Sequence, residues 1–425
     1  MKLQNTPTFA DRFCEILTRK VKATFFSQRC TVINWNRISI IIGKDYSCSK
    51  RAEPSYDGLL FSKIKNSLFL IYIGFIFTCG AQNSILNNLK EAPVNGGLQM
   101  QDYWVWGSSV IKADDGLYHM YASRWPKMLP FHPGWMIASE IVHATSTTPE
   151  GPYQFKDVAL GSRGSQYWDG KSCHNPKIVK YKDTYILYYM GSTHPFEDVS
   201  VGNISEFDLS SKWCITSRWR KRIGIATSKS PNGPWKRSDS PILDVKPNSY
   251  YSFLMSNPSP LIKKDGSVVL LFKGRSYKED GVQHSGMSIG VAIAPSFDGP
   301  YAIIDDEPLF SMERFGEIED PHLWSDDNGY HMIAKDQRGL ITGGKGDGLL
   351  AHSEDGINWV IDENPKAYTK NVKWNDGKTV KQGQLERAFV LVEEGKPTHL
   401  FFATMDGPGG FGNGTKTWNM VIPLK

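Results

Sequence analysis

The chain has 425 residues, of which 40% are hydrophobic and 12% aromatic, with 49 basic and 44 acidic side chains. This composition excludes a disordered, collagen-like or coiled-coil protein, and the length suffices for one large domain or two to three smaller ones. The formal charge of +5 divides unevenly, because residues 1–81 hold 12 basic and 5 acidic side chains and residues 82–425 hold 37 and 39. The basic balance therefore belongs to the first 81 residues, which argues against nucleic-acid binding by the rest.

Residues 63–81 have the composition of a secretory signal peptide. Lys63 and Lys65 precede an apolar run, 68–78, that is followed by Cys79 and two small residues, Gly80-Ala81. The run is shorter than the roughly 20 residues that a membrane-spanning helix needs. We therefore predict an exported protein that is periplasmic, an outer-membrane lipoprotein or secreted. The signal peptide is expected to be cleaved after Ala81, with lipidation of Cys79 as the alternative.

Residues 1–62 precede this segment and show no periodicity of a helix or a strand. The sequence has no Met between Met1 and Met100, although a signal peptide normally begins near the start codon. We interpret residues 1–62 as a mis-assigned upstream extension or a disordered leader. The alternative is that residues 63–81 form an uncleaved internal anchor.

A unit of two apolar strands, with a small or polar residue before the first, recurs five times from residue 98 onward. Its marker column, often Pro, lies at positions 108, 176, 258, 321 and 388, with spacings of 68, 82, 63 and 67 residues. A second motif, Gly-Pro-aromatic, follows at 151–153, 233–235 and 299–301. Five antiparallel units of about four strands predict an all-β fold, a five-bladed β-propeller over residues 82–425. A β-sandwich would not repeat one motif five times, and a β-helix repeat is shorter. The run Thr417–Pro423 is expected to help close the ring.

The first strand of each propeller blade lines the central channel, so equivalent positions of the five copies converge on one axis. Polar and aromatic side chains occupy the two positions before the marker column, where a purely structural core favours small or apolar residues. Buried polar groups need partners, which a polar ligand supplies; a water-filled channel stitched by salt bridges is the alternative. The two sets are Trp106, His174, Ser256, Glu319 and Glu386, and Gly107, Asn175, Asn257, Asp320 and Arg387.

The fourth copy reads Ile-Glu-Asp-Pro-His-Leu-Trp over 318–324 and runs into Gly-Tyr-His at 329–331. Together with the repeat, this resembles glycoside hydrolase family 43 and the related families 32, 62, 68 and 117, over roughly residues 98–425. The resemblance implies that the Glu two residues before the Pro, here Glu319, is the general acid. In that family the base is an Asp before the first-blade column and a second Asp precedes the third-blade Pro. This chain has Gly107 and Asn257 there.

Glycoside hydrolysis needs two carboxyl groups, about 5–5.5 Å apart for retention or 6.5–9.5 Å apart for inversion. Glu319 and Glu386 occupy equivalent positions of neighbouring blades and are predicted to face each other, with Glu319 as the acid. The base is predicted to be Glu386 or Asp102, which lies six residues before the first-blade column. Asp169, which leads into the second blade, is a third candidate. Two carboxylates in proximity raise the pKa of one of them.

Aromatic and cationic side chains supply the predicted binding surface. Indole rings stack on sugars, and arginines bind the sulfate or carboxylate groups of anionic glycans. The basic run 217–222 is open to two interpretations, a contact to such a glycan or a solvated strand edge on the insertion 193–222. The predicted substrate contacts are Trp106, His174, Asn175, Asn257, His322, Arg387, Arg124 and Arg275.

The sequence thus predicts an exported glycoside hydrolase that cleaves O-glycosidic bonds of a plant or algal oligosaccharide by two-carboxylate acid/base catalysis. Insertions at 124–140 and 193–222 are expected to wall the channel mouth and to favour exo action. The alternatives are a non-catalytic carbohydrate-binding propeller and a glycoside phosphorylase.

The predicted partner is an oligosaccharide or polysaccharide, with no nucleic acid and no transmembrane domain in the mature protein. No metal site or cofactor is predicted, although a structural channel cation such as calcium stays open. Cys173 and Cys214 have no metal-ligand spacing, and they are compatible with one disulfide or with two free thiols.

Overall fold

The computed structural model describes residues 85–425. The leader, the signal peptide and the lipidation site at Cys79 lie outside these residues, so the predictions for them stay predictions. Five antiparallel sheets follow one another along the described chain, and their first strands contact each other in a closed ring. The five-bladed β-propeller predicted from the repeat is therefore confirmed.

The strands of the blades are given in chain order. Blade one has β1 (Tyr103–Lys112), β2 (Tyr118–Pro126), β3 (Glu140–Ser146) and β4 (Gln154–Leu160); blade two has β5 (Ser172–Tyr181), β6 (Thr184–Ser192), β7 (Arg222–Ser228) and β8 (Lys236–Arg237). Blade three has β9 (Leu254–Ile262), β10 (Val268–Arg275), β11 (Ser288–Ala294) and β12 (Ala302–Ile303); blade four has β13 (Ile318–Asp326), β14 (Gly329–Asp336), β15 (Asp347–Ser353) and β16 (Val360–Tyr368). A hairpin of β17 (Asn371–Lys373) and β18 (Thr379–Lys381) precedes blade five, which has β19 (Gln384–Glu393), β20 (Lys396–Met405) and β21 (Thr417–Pro423).

The middle strands are apolar on both faces because each blade is packed between two others. In β6, Leu187 and Tyr189 pack towards blade one, whereas the alternate residues Ile186 and Tyr188 pack towards blade three. Successive side chains of a strand point to opposite faces, so a strand buried on both sides has an almost continuous apolar sequence. One apolar core lies between each pair of neighbouring blades, and a sixth lies at one end of the channel.

The last strand lies inside blade five. β21 belongs to blade five itself, where it is the third strand beside β20. The segment that precedes blade one then runs along the outer edge of β21, with bridges from Leu89 to Leu424 and from Leu98 to Asn419. Blade five thus contains three strands rather than four, and the beginning of the described chain supplies its outer edge.

Within residues 85–425, four short α-helices accompany the strands: α1 (Ile85–Asn88), α2 (Phe131–Ala138), α3 (Lys212–Trp219) and α4 (Met312–Phe315). α2 and α3 come from the two long insertions and contact each other. Their apolar side chains form the sixth core with Trp104 and Trp106 of β1. None of the helices in 85–425 has the length and apolar character to cross a membrane. Cys173 and Cys214 are both buried and form no disulfide.

Candidate active site

The first strand of every blade bends at the residue before the marker column. The pairing of that strand with its neighbour shifts register at or next to this residue in all five blades. The backbone there has a positive φ, namely 41° at Gly107, 54° at Asn175, 51° at Asn257, 58° at Asp320 and 57° at Arg387. Positive φ is uncommon outside glycine, and a β-bulge redirects a side chain. Five bulges at equivalent positions therefore direct one residue from each blade to the axis.

Four of these residues form a chain of hydrogen bonds across the channel. The Nδ2 atom of Asn175 donates to Oδ1 of Asn257 over 3.0 Å, and Nδ2 of Asn257 donates to Oδ1 of Asp320 over 2.7 Å. The Nη1 atom of Arg387 donates to the same Oδ1 of Asp320. Three buried polar atoms of these side chains have no hydrogen-bond partner among residues 85–425: Asn175 Oδ1, Asp320 Oδ2 and Arg387 Nε. We call these four residues and Gly107 the axial ring.

Gly107 fills the fifth place of the axial ring, where a side chain would be crowded. A Cβ atom there would lie 3.0 Å from Oδ1 of Asn175 and 3.3 Å from Cγ of Arg387, side-chain atoms that would have to shift. The Asp that the family resemblance implies at this position is absent from the sequence. Catalysis in this chain needs a different second carboxyl group.

Glu319 and Glu386 lie one residue further towards α2 and α3, each paired with a lysine of the preceding blade. The Nζ atom of Lys273 on β10 lies 2.7 Å from Oε1 of Glu319. In the same way, Nζ of Lys335 on β14 binds Oε1 of Glu386. Lys335 is also the cross-strand partner of Glu319, so one lysine lies beside both carboxyl groups. The prediction that the two glutamates face each other across the channel stays a prediction; the structure shows that both lie beside Lys335. We call this end of the channel the glutamate mouth.

The two carboxyl groups have opposite protonation tendencies. Burial alone would raise the pKa of Glu319, but the charges of Lys273, Arg387 and Lys335 outweigh it and hold the pKa well below its usual value. Burial raises the pKa of Glu386, and the negative charge of Glu319 adds to this effect, while Lys335 opposes it. Glu386 is 3% exposed and Glu319 is 9% exposed, so solvent screens neither. Glu319 is thus the ionised group and Glu386 the one that holds a proton more readily.

His174 is the blade-two residue of the same layer, and it is neutral. Burial, together with the positive charges of Arg387 and Lys221, holds its pKa well below the usual value. Its Nδ1 atom lies 2.8 Å from Oγ of Ser139, and the Trp135 ring of α2 stacks on it at a centroid distance of 4.8 Å. Nε2 has no hydrogen-bond partner in the described chain, so it is available to a ligand.

Two of the predicted acids lie outside the glutamate mouth. Asp102 is exposed and precedes β1, about 13 Å from Trp106 along an extended strand at roughly 3.3 Å per residue. Asp169 is completely buried, and its carboxylate accepts from Nε of Arg163 over 2.6 Å and from the hydroxyl of Tyr189 over 2.7 Å. These contacts fit a role for Asp169 in stabilising blade two.

Three predicted substrate contacts have other partners. Arg124 donates from Nε to Oε1 of Glu140 over 2.8 Å and lies over the Tyr103 ring. Trp106 is 3% exposed and packs edge-on against Phe131 of α2, with ring centroids 4.9 Å apart. Both arrangements differ from the prediction, because a guanidinium engaged by a carboxylate and a packed indole present no free face to a sugar. The third is His322.

His322 lies beyond the axial ring from Glu319, because the bulge at residue 320 separates their side chains. It lines a cavity of about 600 Å³ at the other end of the channel, which we call the opposite mouth. Its Nε2 atom lies 3.3 Å from the carbonyl oxygen of Val390, and Nζ of Lys177 nearby donates to the carbonyl oxygen of Ala388 over 3.3 Å. Burial lowers the pKa of Lys177 to about 7 and holds that of His322 well below its usual value.

Arg275 lies at the rim of the glutamate mouth, where β10 ends. Its Nη1 atom donates to the carbonyl oxygen of Ser285 over 2.6 Å, and Nη2 lies 4.0 Å from Oε1 of Glu317. The structure thus brings some of the predicted site residues together and places the others elsewhere in the propeller. The residues that it brings together at the glutamate mouth are Glu319, Glu386, His174, Asn175, Asn257, Arg387 and Arg275.

Sequence reasoning missed Lys273 and Lys335, although a signal was present. Each is a lysine within an otherwise apolar strand, in Val-Val-Leu-Leu-Phe-Lys for β10 and in His-Met-Ile-Ala-Lys for β14. Lysine is almost never fully buried without a partner. A lysine at the same place in two successive copies therefore indicates a buried acid in each following blade.

No group of three or more His, Cys, Asp or Glu side chains in 85–425 is arranged to hold a metal ion. The charged group that contacts Asp320 on the axis is the guanidinium of Arg387. The negative charge of Asp320 at the centre of the ring is thus balanced by the side chain of Arg387.

Solved structures of several glycoside hydrolases share this architecture. A family 117 glycoside hydrolase produced by the marine bacterium Zobellia galactanivorans has a TM-score of 0.56 and 15% identity, over 79% of this chain and 89% of that one. A structure described as a glycoside hydrolase has a TM-score of 0.57 and 12% identity, over 85% of this chain and 95% of that one. The chain shares their five-bladed propeller fold. A thermostable family 43 glycoside hydrolase follows with a TM-score of 0.51 and 15% identity, over 79% and 92% of the two chains. No family model and no curated protein matches the sequence.

Proposed function

We propose that the protein is a glycoside hydrolase whose catalytic groups are Glu319 and Glu386. The observation that carries this proposal is the pair of buried carboxyl groups in one mouth of the channel, with the pKa of one lowered and that of the other raised. Acid/base hydrolysis of a glycosidic bond needs this division between an ionised and a protonated carboxyl group. The shared fold with glycoside hydrolases supports it.

The electrostatics favour roles opposite to those implied by the family resemblance. Glu386, with the raised pKa, donates its proton to the leaving glycosidic oxygen as the bond from that oxygen to the anomeric carbon breaks. Glu319, held ionised by Lys273, takes a proton from water while the water oxygen bonds to the anomeric carbon. A proton then returns from Glu319 to Glu386 through solvent. Neutral His174 and the amides of the axial ring are proposed to bind sugar hydroxyl groups.

The substrate class and the cellular location belong to the same proposal. α2 and α3 pack together over Trp106 at this end of the channel, which supports the proposal of action on the end of a chain. We propose exo action on a plant or algal oligosaccharide by a protein exported through the segment 63–81, with Cys79 as an optional lipid attachment site.

The test is sugar release from a panel of plant and algal oligosaccharides by the wild type and by E319Q, E386Q and E363Q. Each of the first two substitutions is expected to lower kcat by ~10²–10⁴-fold, the usual contribution of one acid/base group. E363Q changes an exposed glutamate of β16 in the outer part of blade four and is the matched control. A wild-type kcat in both site variants would refute the proposal.

A carbohydrate-binding propeller without catalysis is the second candidate, and Gly107 favours it. The glycine at this position removes one of the carboxylates on which the resembled family depends. Calorimetric titration with the same panel discriminates the two: binding without sugar release, unchanged in E319Q and E386Q, supports the binding protein.

A further inference from the structure

Lys221 is a buried lysine of the glutamate mouth with no acidic partner. It immediately precedes β7 and is 5% exposed. Its backbone carbonyl accepts from the amide of Met255, next to the inner-strand residue Ser256. No acidic side chain in 85–425 forms an ion pair with its ammonium group, which instead lies 4.1 Å over the Trp135 ring.

The charges around Lys221 have the same sign as its own. Burial and the positive charges of Lys273, Arg218 and Arg275 hold its pKa well below the usual value. Lys273 is compensated by Glu319 and Arg275 in part by Glu317. Arg218, in the last turn of α3, makes its one hydrogen bond among the described residues to a backbone carbonyl. Lys221 and Arg218 are therefore the uncompensated cations of this mouth.

The basic run 217–222 thus divides into two parts. Arg222 pairs with Asp244, and Arg220 lies over the neighbouring Trp219 ring, in keeping with an ordinary strand edge. Lys221 instead lies buried over the Trp135 ring, and Arg218 donates only to a backbone carbonyl oxygen. A buried ammonium group without a counter-ion either loses its proton or binds an anion, because an isolated charge in an apolar site is costly. An oxyanion between these cations would satisfy them.

We propose that Lys221, together with Arg218 and Arg275, forms an oxyanion-binding subsite at the glutamate mouth. The ligand is a sulfate, phosphate or carboxylate group, either as a substituent of the bound glycan or as free inorganic phosphate. The inference rests on the proposed function for its biological meaning, since it names the substrate class of the same mouth. The binding event itself needs no catalysis.

The direct test uses inorganic phosphate and inorganic sulfate as probes, with chloride at matched ionic strength as the reference. Phosphate or sulfate should raise the midpoint of thermal unfolding of the wild type and bind in calorimetric titration. K221M should weaken binding by ~10-fold or more, since a hydrogen bond to a charged group is worth at least that factor. K264M, at an exposed lysine in the β9–β10 turn, is the matched control and should bind like the wild type.

Methionine retains most of the length and apolar contacts of Lys221, so K221M is expected to fold. R218M provides a second variant at the surface, where the loss of affinity should be smaller, ~2–5-fold, because solvent screens the charge. Equal anion binding by the wild type, K221M and R218M would overturn the proposal. The absence of anion-specific binding in the wild type would do the same.

Two further measurements distinguish the sources of the oxyanion. Oligosaccharides matched in length but neutral, sulfated or uronate-containing identify a glycan substituent, if only the charged ones bind in a Lys221-dependent way. Phosphate-dependent release of a sugar phosphate identifies free phosphate: its oxygen bonds to the anomeric carbon, the glycosidic bond breaks and Glu386 protonates the leaving oxygen.

Anion binding that depends on Lys221 without any glycan cleavage would refute the hydrolase proposal alone. Cleavage without anion binding would refute the subsite alone.

Discussion

The two ends of the channel are built from the same five strands, but their ionisable side chains have different partners. At the glutamate mouth, each buried glutamate has a lysine from the preceding blade. At the opposite mouth, Lys177 and His322 contact backbone carbonyl oxygens and have no acidic partner in the described chain. Burial is therefore common to both ends of the channel. The difference is that the glutamate mouth contains two buried carboxyl groups, each paired with a lysine, whereas Lys177 and His322 at the opposite mouth contact only backbone carbonyl oxygens.

The axial ring separates these two environments. Its bulges direct the side chains at 107, 175, 257, 320 and 387 into one layer, so the residues before and after that layer face opposite ends of the channel. Glu319 and His322 are only three residues apart, but they belong to different mouths. Variants on either side of the ring test how independent the two environments are.

The largest effect is expected for K335M at the glutamate mouth. The substitution leaves Glu386 buried without its partner, which should lower the free energy of unfolding by ~3–5 kcal/mol at neutral pH. The raised pKa of Glu386 sets the sign of the pH dependence, because a carboxyl group with a raised folded pKa loses stabilisation as pH rises. The deficit should therefore shrink as the pH falls towards about 4.5, near the pKa of an unperturbed Glu, and disappear below it, where Glu386 is protonated in both states. Denaturant unfolding of the wild type and K335M over a pH series measures this difference in the free energy of unfolding.

The control for K335M is the double variant K335M/E386Q, which removes both charges. It should recover much of the lost stability, since the penalty comes from an unpaired charge rather than from missing contacts. A double variant as unstable as K335M would show that Lys335 stabilises the blade by packing, and the contrast between the two mouths would fail.

The same chemical change at the opposite mouth should have the opposite sign. K177M removes a buried amine that has no acidic partner, so it is expected to stabilise the protein at pH 7 by ~1–4 kcal/mol. The folded pKa of Lys177 is about 7, below that of an unfolded lysine, so the unfolded state binds more protons and wild-type stability rises with pH between the two values. In K177M this rise should disappear. A destabilised K177M would contradict the difference between the paired and unpaired lysines.

The repeat in the sequence was sufficient to predict the fold and part of the candidate site. Glu319, Glu386, His174 and the axial ring follow from one alignment of five copies, because equivalent positions of a propeller must converge. The partner lysines could not be assigned in this way, since they lie on second strands and reach the next blade. Their pairing depends on strand register, which the order of residues alone does not fix.

Asp169 and Asp102 are residues that the sequence predicted as candidate acids but that lie outside the glutamate mouth. An acid near the start of an inner strand looks equivalent to the others in sequence, but a few residues of extended chain move it by more than 10 Å at roughly 3.3 Å per residue. Asp169 is held by Arg163 and Tyr189, neither of which belongs to a repeated motif. Local irregularities such as the loop 161–171 thus determine which acids reach the channel.

The smallest effect is expected within the layer that divides the two mouths. G107A introduces a Cβ atom 3.0 Å from Oδ1 of Asn175 at a backbone φ of 41°. A side chain in the left-handed region costs ~1–2 kcal/mol, and the contact with Asn175 adds to this. G116A is the matched control, because Gly116 has a φ of 82° and a Cβ atom there would meet nothing within 4 Å. Both variants should lose stability from backbone strain, but only G107A should also lower kcat by displacing Asn175 and the hydrogen bonds to Asn257 and Asp320. If the two variants behave alike in unfolding and turnover, the axial ring does not couple to the glutamate mouth, and the carboxyl groups work independently of the layer beneath them.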